Sequence, residues 1–192
     1  MFERDKPRMQ KLILALALGA IAYAAPFASH ADAVSIAAAN PGWIVVPAPT
    51  DGPAFPAASA VTPDGYRLYV WSREDERGRQ VFAELHPPVG TGFSGIMPRW
   101  RIDDAEVVDT DEIRRAGEAR DMLWGFTGET VSIWMIWLGD AVVPADDPAH
   151  RWLSGQTLEV SIELADGSDR RIVFPLVGAG MAIEAAGEIR AE

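Results

Sequence analysis

The chain contains no cysteine. That excludes disulfide staples, a thiol nucleophile and thiolate metal ligands, and it closes the lipoprotein route of export. Lysine is almost absent as well: Lys6 and Lys11 are the only two, so every cationic side chain beyond residue 11 is arginine. The formal net charge of −11 argues against nucleic acid or an anionic lipid surface as partner, because either would need a concentrated basic patch. The nearest approach to one, "RRAGEAR" with Arg114, Arg115 and Arg120, sits between acids. There is no GxSxG nucleophile motif and no HxxxH metal spacing. His86 and His150 lie far apart in the sequence, so no metal site is expected.

A long hydrophobic run is present only near the start. "KLILALALGAIAYAAPFA" follows Lys11 and leads to Ala31-Asp32-Ala33, a small-x-small cleavage pattern. The run is too short, and too closely followed by that site, for a membrane span. Residues 1–33 therefore read as a signal peptide cut after Ala33, which implies a periplasmic or secreted protein with no stable membrane span after cleavage. Glu3 and Asp5 occupy a region that should be basic, so Met9 would open a cleaner signal than Met1. Cleavage removes four cations and three carboxylates, taking the net charge from −11 to −12.

The remainder is the size of one domain. Residues 34–64 hold six prolines and read as a Pro/Ala-rich N-terminal arm, irregular apart from an edge strand at Trp43–Val46. Residues 65–192 read as a β-sandwich domain. In "YRLYVWS", Tyr66, Leu68 and Val70 fall on one face and Arg67, Tyr69 and Trp71 on the other. With the Gly78 turn and "VFAELH" this predicts a hairpin. "RWRIDDAEVV" predicts a strand with Trp100, Ile102 and Val107 inward. "DTDEIRRAGEAR" suggests one or two helical turns capped by Asp109 or Thr110. "ETVSIWMIWL" is apolar on both faces and predicts the most central strand, with Trp134 and Trp137 on opposite sides. A short helical turn should run from Pro148 to Gly155. "TLEVSIEL" alternates Leu158, Val160, Ile162 and Leu164 against polar residues, then turns at Asp166-Gly167. The fold class is all-β, a sandwich or partly open barrel of short antiparallel strands with a short C-terminal helix.

"FPLVGAGMAIEAAG" has the strand, glycine turn and helix of a nucleotide loop. It fails the dinucleotide fingerprint, since Ile183 stands where Gly or Ala must pack and no strand follows to supply a ribose-binding acid. No cofactor is expected. Gly178 and Gly180 read instead as a structural turn that swings the last strand into a helix, so that Met181, Ile183 and Ala185-Ala186 close one end of the sandwich.

Residues 151–189 resemble the C-terminal part of the invasion-associated locus B family of exported bacterial proteins. Gly155, Leu158 and Val160 match its "x-G-x-x-L-x-V" element and Asp166-Gly167 its hairpin turn. Phe174, Leu176, Gly178, Ala182 and Ile183 match its closing strand, turn and helix. "GWIVV" echoes the family's opening strand. The family's frequent cysteines are missing here, and Ala179 replaces the usual aromatic after the turn glycine. The resemblance implies an exported, non-enzymatic envelope protein acting through a protein or envelope partner. An alternative is a carbohydrate- or peptide-binding module using Trp71, Trp124 and Trp152 as an exposed platform, although most tryptophans are expected in the core. A periplasmic hydrolase built on a carboxylate pair is a third reading. The acid run Asp103, Asp104, Glu106, Asp109, Asp111 and Glu112 lacks the glycine and terminal glutamate of a calcium loop, so a solvated face or weak cation binding is expected.

Overall fold

The computed structural model describes residues 42–110 and 125–192. The order is β1 (Trp43–Val46), β2 (Ala57–Val61), β3 (Arg67–Asp75), β4 (Gly78–His86), β5 (Arg99–Ile102), β6 (Val108–Asp109), β7 (Gly125–Thr127), β8 (Ser132–Gly139) and β9 (Val142–Val143). Helix α1 (His150–Ser154), β10 (Thr157–Glu163), β11 (Asp169–Pro175), α2 (Ala179–Gly187) and β12 (Arg190–Ala191) complete it. The fold is all-β, with open sheets and no closed barrel. A six-stranded sheet runs β1-β2-β3-β4-β8-β7 and a four-stranded sheet β11-β10-β5-β6. Both are antiparallel, and β9 and β12 add a short parallel pair.

One apolar cluster lies between the sheets. Leu68 and Val70 of β3, with Val81, Ala83 and Leu85 of β4, meet Leu158, Val160 and Ile162 of β10. Trp100, Trp134 and Trp152 join them, Trp100 and Trp152 edge to face at 5.4 Å between centroids. The four-stranded sheet cannot cover all six strands, and α2 packs on β1, β2 and β3. Small residues permit this close approach, with Ala58 and Ala60 on the sheet and Ala179 and Ala182 on the helix, all in the one cluster. Trp43 ties the edge strand to the other sheet, its Nε1 donating to the Pro175 carbonyl at 2.6 Å.

Several expectations are corrected. β8 is not the most central strand: it lies between β4 and the short edge strand β7. Its tryptophans do not face opposite ways either. The register steps from Phe82↔Met135 to Val81↔Trp137, which makes Ile136 an extra residue. Trp134 is core, and both Ile136 and Trp137 pack against that same core. Residues 57–61 form a strand inside the sheet rather than irregular arm. Pro53, Pro56 and Pro63 flank this stretch without interrupting it, so all five residues keep their N–H groups for pairing.

Val107 is 51% exposed, because the chain leaves the sheet at Asp103 (φ 51°) after β5. Met181 is 60% exposed on α2, while Ala182 and Ile183 are buried beside it. Gly178 has φ 87° as the residue before α2, and Gly167 has φ 80° in the β10–β11 turn. The helical turns expected after Thr110 lie outside the described residues.

Candidate functional site

Trp71 is 7% and Trp152 1% exposed, and they belong to clusters on opposite sides of the six-stranded sheet. They therefore share no exposed platform. Alternation on β3 turns Trp71 outward from the core, and helix α1 turns Trp152 inward. Trp124 lies outside the described residues. Gly178 precedes α2 with its positive φ, and Gly180 lies inside the first turn of the helix rather than in the turn before it. His86 and His150 stay on separate elements: His86 meets Glu84 at 2.7 Å on β4, and His150 Nδ1 meets Ser154 Oγ at 3.1 Å on α1. Among the described residues no group of three His, Asp or Glu could hold a metal ion.

The acid run is dispersed rather than convergent. Asp103 turns back, and its Oδ1 accepts the backbone N–H groups of Gln156 (3.1 Å) and Thr157 (2.9 Å). It thereby pins the β5 exit to the start of β10. Asp109 pairs with Arg99 at 3.0 Å. Asp111 and Glu112 lie outside the described residues.

Pinning the chain at Asp103 leaves residues 104–107 arched over the end of β5. Opposite stands the turn into α1, built by Asp147, whose Oδ1 accepts the Ala149 N–H at 2.7 Å and whose carbonyl accepts the His150 N–H at 3.0 Å. Between arch and turn lies a cleft of about 330 Å³. Trp100, Ile102, Val108 and Pro148 supply its apolar wall, with Val107 on the arch. Glu106, Asp109, Asp146 and Arg151 carry the charge around it. Glu106, Asp146 and Arg151 are exposed, and none makes an ion pair with a described residue. Among the described residues the wall offers no histidine and no hydroxyl nucleophile beside the carboxylates. The cleft thus sets an apolar floor beneath Glu106 and Asp146, a combination that suits an apolar group flanked by positive charge.

A larger cleft of about 500 Å³ opens at the turn end of the sandwich, beside Asp64, Gly90, Gly92, Asp166 and Arg170. Asp166 there is already engaged: the Ser168 hydroxyl and amide, at 2.6 and 2.9 Å, hold its carboxyl below the ordinary range. Tyr66, Pro88 and Leu164 also line it, but its surface is more polar than that of the cleft beside Trp100. The smaller, more apolar cleft is the candidate site, although it is the lesser in volume.

Sequence reasoning identified Trp100 and Ile102 but missed the cleft. Reading "RWRIDDAEVV" as one strand places Val107 inward, and the acid run places Glu106 and Asp109 on a solvated face. The available signal was the acidic pair Asp103-Asp104 directly after Ile102, where β5 ends before the chain re-enters the sheet at Val108.

Comparison with family models, with curated proteins and with solved structures finds no match to this chain.

Proposed function

We propose that the protein is an exported, non-enzymatic envelope protein that acts by binding a protein partner through the cleft between β5–β6 and α1. The observation that carries this reading is the cleft's composition, an apolar wall containing Trp100 beneath Glu106 and Asp146, which make no ion pair with a described residue. Such a wall suits an apolar side chain, and the surrounding charge suits a basic segment around it. The apolar run behind Lys11 and the Ala31-Asp32-Ala33 site support export. The resemblance of residues 151–189 to the invasion-associated locus B family supports the same envelope role. Among the described residues no helix is long and apolar enough to cross a membrane.

The test compares envelope proteins captured by residues 34–192 with those captured by the Glu106→Lys/Asp146→Lys variant, at low and high salt. Both side chains are exposed, so the variant should fold. A partner held by the parent at low salt, released at high salt and lost from the variant is expected. Equal capture by both would refute the cleft as the site.

A further inference from the structure

The middle of the outer face of the six-stranded sheet carries its own apolar cluster of Ala57, Tyr69, Trp71, Phe82 and Met135. Register places Ile44, Ser59, Tyr69, Glu84, Ile133 and Phe126 in one row across all six strands. Val46, Ala57, Trp71, Phe82 and Met135 form the next. Tyr69 and Phe82 are 1% and 0% exposed, so the middle of this face is covered, while Ile44 and Phe126 at its edges are exposed.

Residues 47–56 lie across part of it. β1 and β2 are antiparallel neighbours paired at Val46↔Ala57, and two to five residues commonly close such a hairpin. Here the connection is "PAPTDGPAFP", with four prolines. Among the described residues no backbone hydrogen bond ties it to the sheet. Side chains hold it instead. The Phe55 ring lies flat on Trp71, 5.2 Å between centroids and 7° from parallel, and Trp71 stacks on Phe82 at 4.5 Å. Gly52 passes so close to the Tyr69 ring that a Cβ there would sit 2.7 Å from Cε2. Asp51 accepts from Arg67 Nη1 at 2.7 Å and from the Tyr69 hydroxyl at 3.3 Å. Beneath them Glu84, 5% exposed, accepts from Trp71 Nε1 at 3.0 Å and orients the shelf.

An extended proline-rich segment with an aromatic anchor on a tryptophan is a recurring mode of peptide recognition. We infer that residues 47–56 are the resident occupant of a peptide-docking groove formed by Tyr69, Trp71 and Arg67, and that a partner's proline-rich peptide with an acid four residues before an aromatic displaces them. The contacts that hold the strap define that chemistry: carboxylate to Arg67 and Tyr69, ring to Trp71. A tethered occupant competes at an effective concentration of roughly millimolar, so the groove is masked until the strap's anchor is weakened. This groove is separate from the cleft beside Trp100, and neither proposal depends on the other.

The probe is a fluorescent synthetic peptide spanning residues 46–57, titrated by anisotropy against residues 34–192 carrying the native strap, Phe55→Ala, or Phe55→Ala with Arg67→Glu. Phe55→Ala should bind the peptide on the order of tenfold more tightly than the parent, because the internal competitor has lost its anchor. Arg67→Glu, a change at a side chain 40% exposed, should abolish that gain, and a peptide carrying Asp51→Lys should restore it. No saturable binding to Phe55→Ala, or binding indifferent to Arg67→Glu, would overturn the inference. So would a concentration-dependent dimer of the parent that Phe55→Ala dissolves, since the occupant would then be a second copy's strap.

Discussion

Gly180→Ala tests whether α2 closes the sandwich by close backbone contact. In an ordinary helix this change would stabilise by about 1 kcal/mol, because alanine is the better helix former. Here the sign should reverse. A Cβ on Gly180 would collide with the Leu153 carbonyl oxygen and stand 3.1 Å from its carbon, at the end of α1. The obstruction is backbone, so no side-chain rotation relieves it and α1 or α2 must move. Overpacking of this kind costs roughly 1–3 kcal/mol, and with a backbone obstacle the upper half of that range applies. Setting the propensity gain against it leaves a net loss of about 1–2 kcal/mol. For a domain of this size that corresponds to a Tm fall of about 2–8 °C.

Two further glycines separate strain from crowding. Gly167→Ala meets no atom within 4 Å, so its φ of 80° alone should cost about 1 kcal/mol. Gly178→Ala, at φ 87°, should lose about the same. Urea unfolding followed by tryptophan fluorescence measures all three. Gly180→Ala as stable as the parent, or more so, would refute the claim that α2 docks on α1 through this residue.

Leu176 is 2% exposed, and Leu176→Ala should lose about 2–5 kcal/mol in the same unfolding assay. Glu159 lies on the outer face of the four-stranded sheet. Burial pushes its carboxyl up, but hydrogen bonds from Arg101 (2.9 Å) and Arg171 hold it below the ordinary range. Its contribution is therefore present above the unfolded value of about 4.3 and is lost as pH falls through the lower folded value. The two guanidinium groups are 39% and 63% exposed, so screening limits the effect to under about 1 kcal/mol. Glu159→Gln should flatten the acid limb of a stability-against-pH curve below about pH 4.3; an unchanged limb would count against this ion-paired cluster. Melts with and without reductant or chelator should overlay, and a chelator-induced drop would place an ion on the acidic loop.

How far the sequence discloses this molecule depends on the range of the interactions. Alternation assigned the faces of β3, β4 and β10 because the period-two pattern is local, and Gly78 and Asp166-Gly167 marked their turns. It could not show that the outward face of β3 is covered. Alternation alone therefore left Trp71 open to the platform alternative, whereas Phe55, sixteen positions earlier, lies upon it. The bulge at Ile136 was hidden for a similar reason: a run apolar on both faces contains no period for an extra residue to interrupt. Prolines suggested an irregular arm, but the uninterrupted stretch Ala57–Val61 between Pro56 and Pro63 is long enough to pair with two strands. The cleft was least legible. It is formed by two loops more than thirty residues apart in sequence, held in place by carboxylates that accept backbone N–H groups.

Photocrosslinking in intact cells tests the proposed binding site most directly. A photoreactive residue at Val107, on the arch of the cleft, is compared with one at Val173, which is 48% exposed on the outer face of the four-stranded sheet. The account predicts a discrete crosslinked partner from position 107, lost with Glu106→Lys/Asp146→Lys, and none from position 173. The same partner from both positions, or a partner from 173 alone, would contradict it.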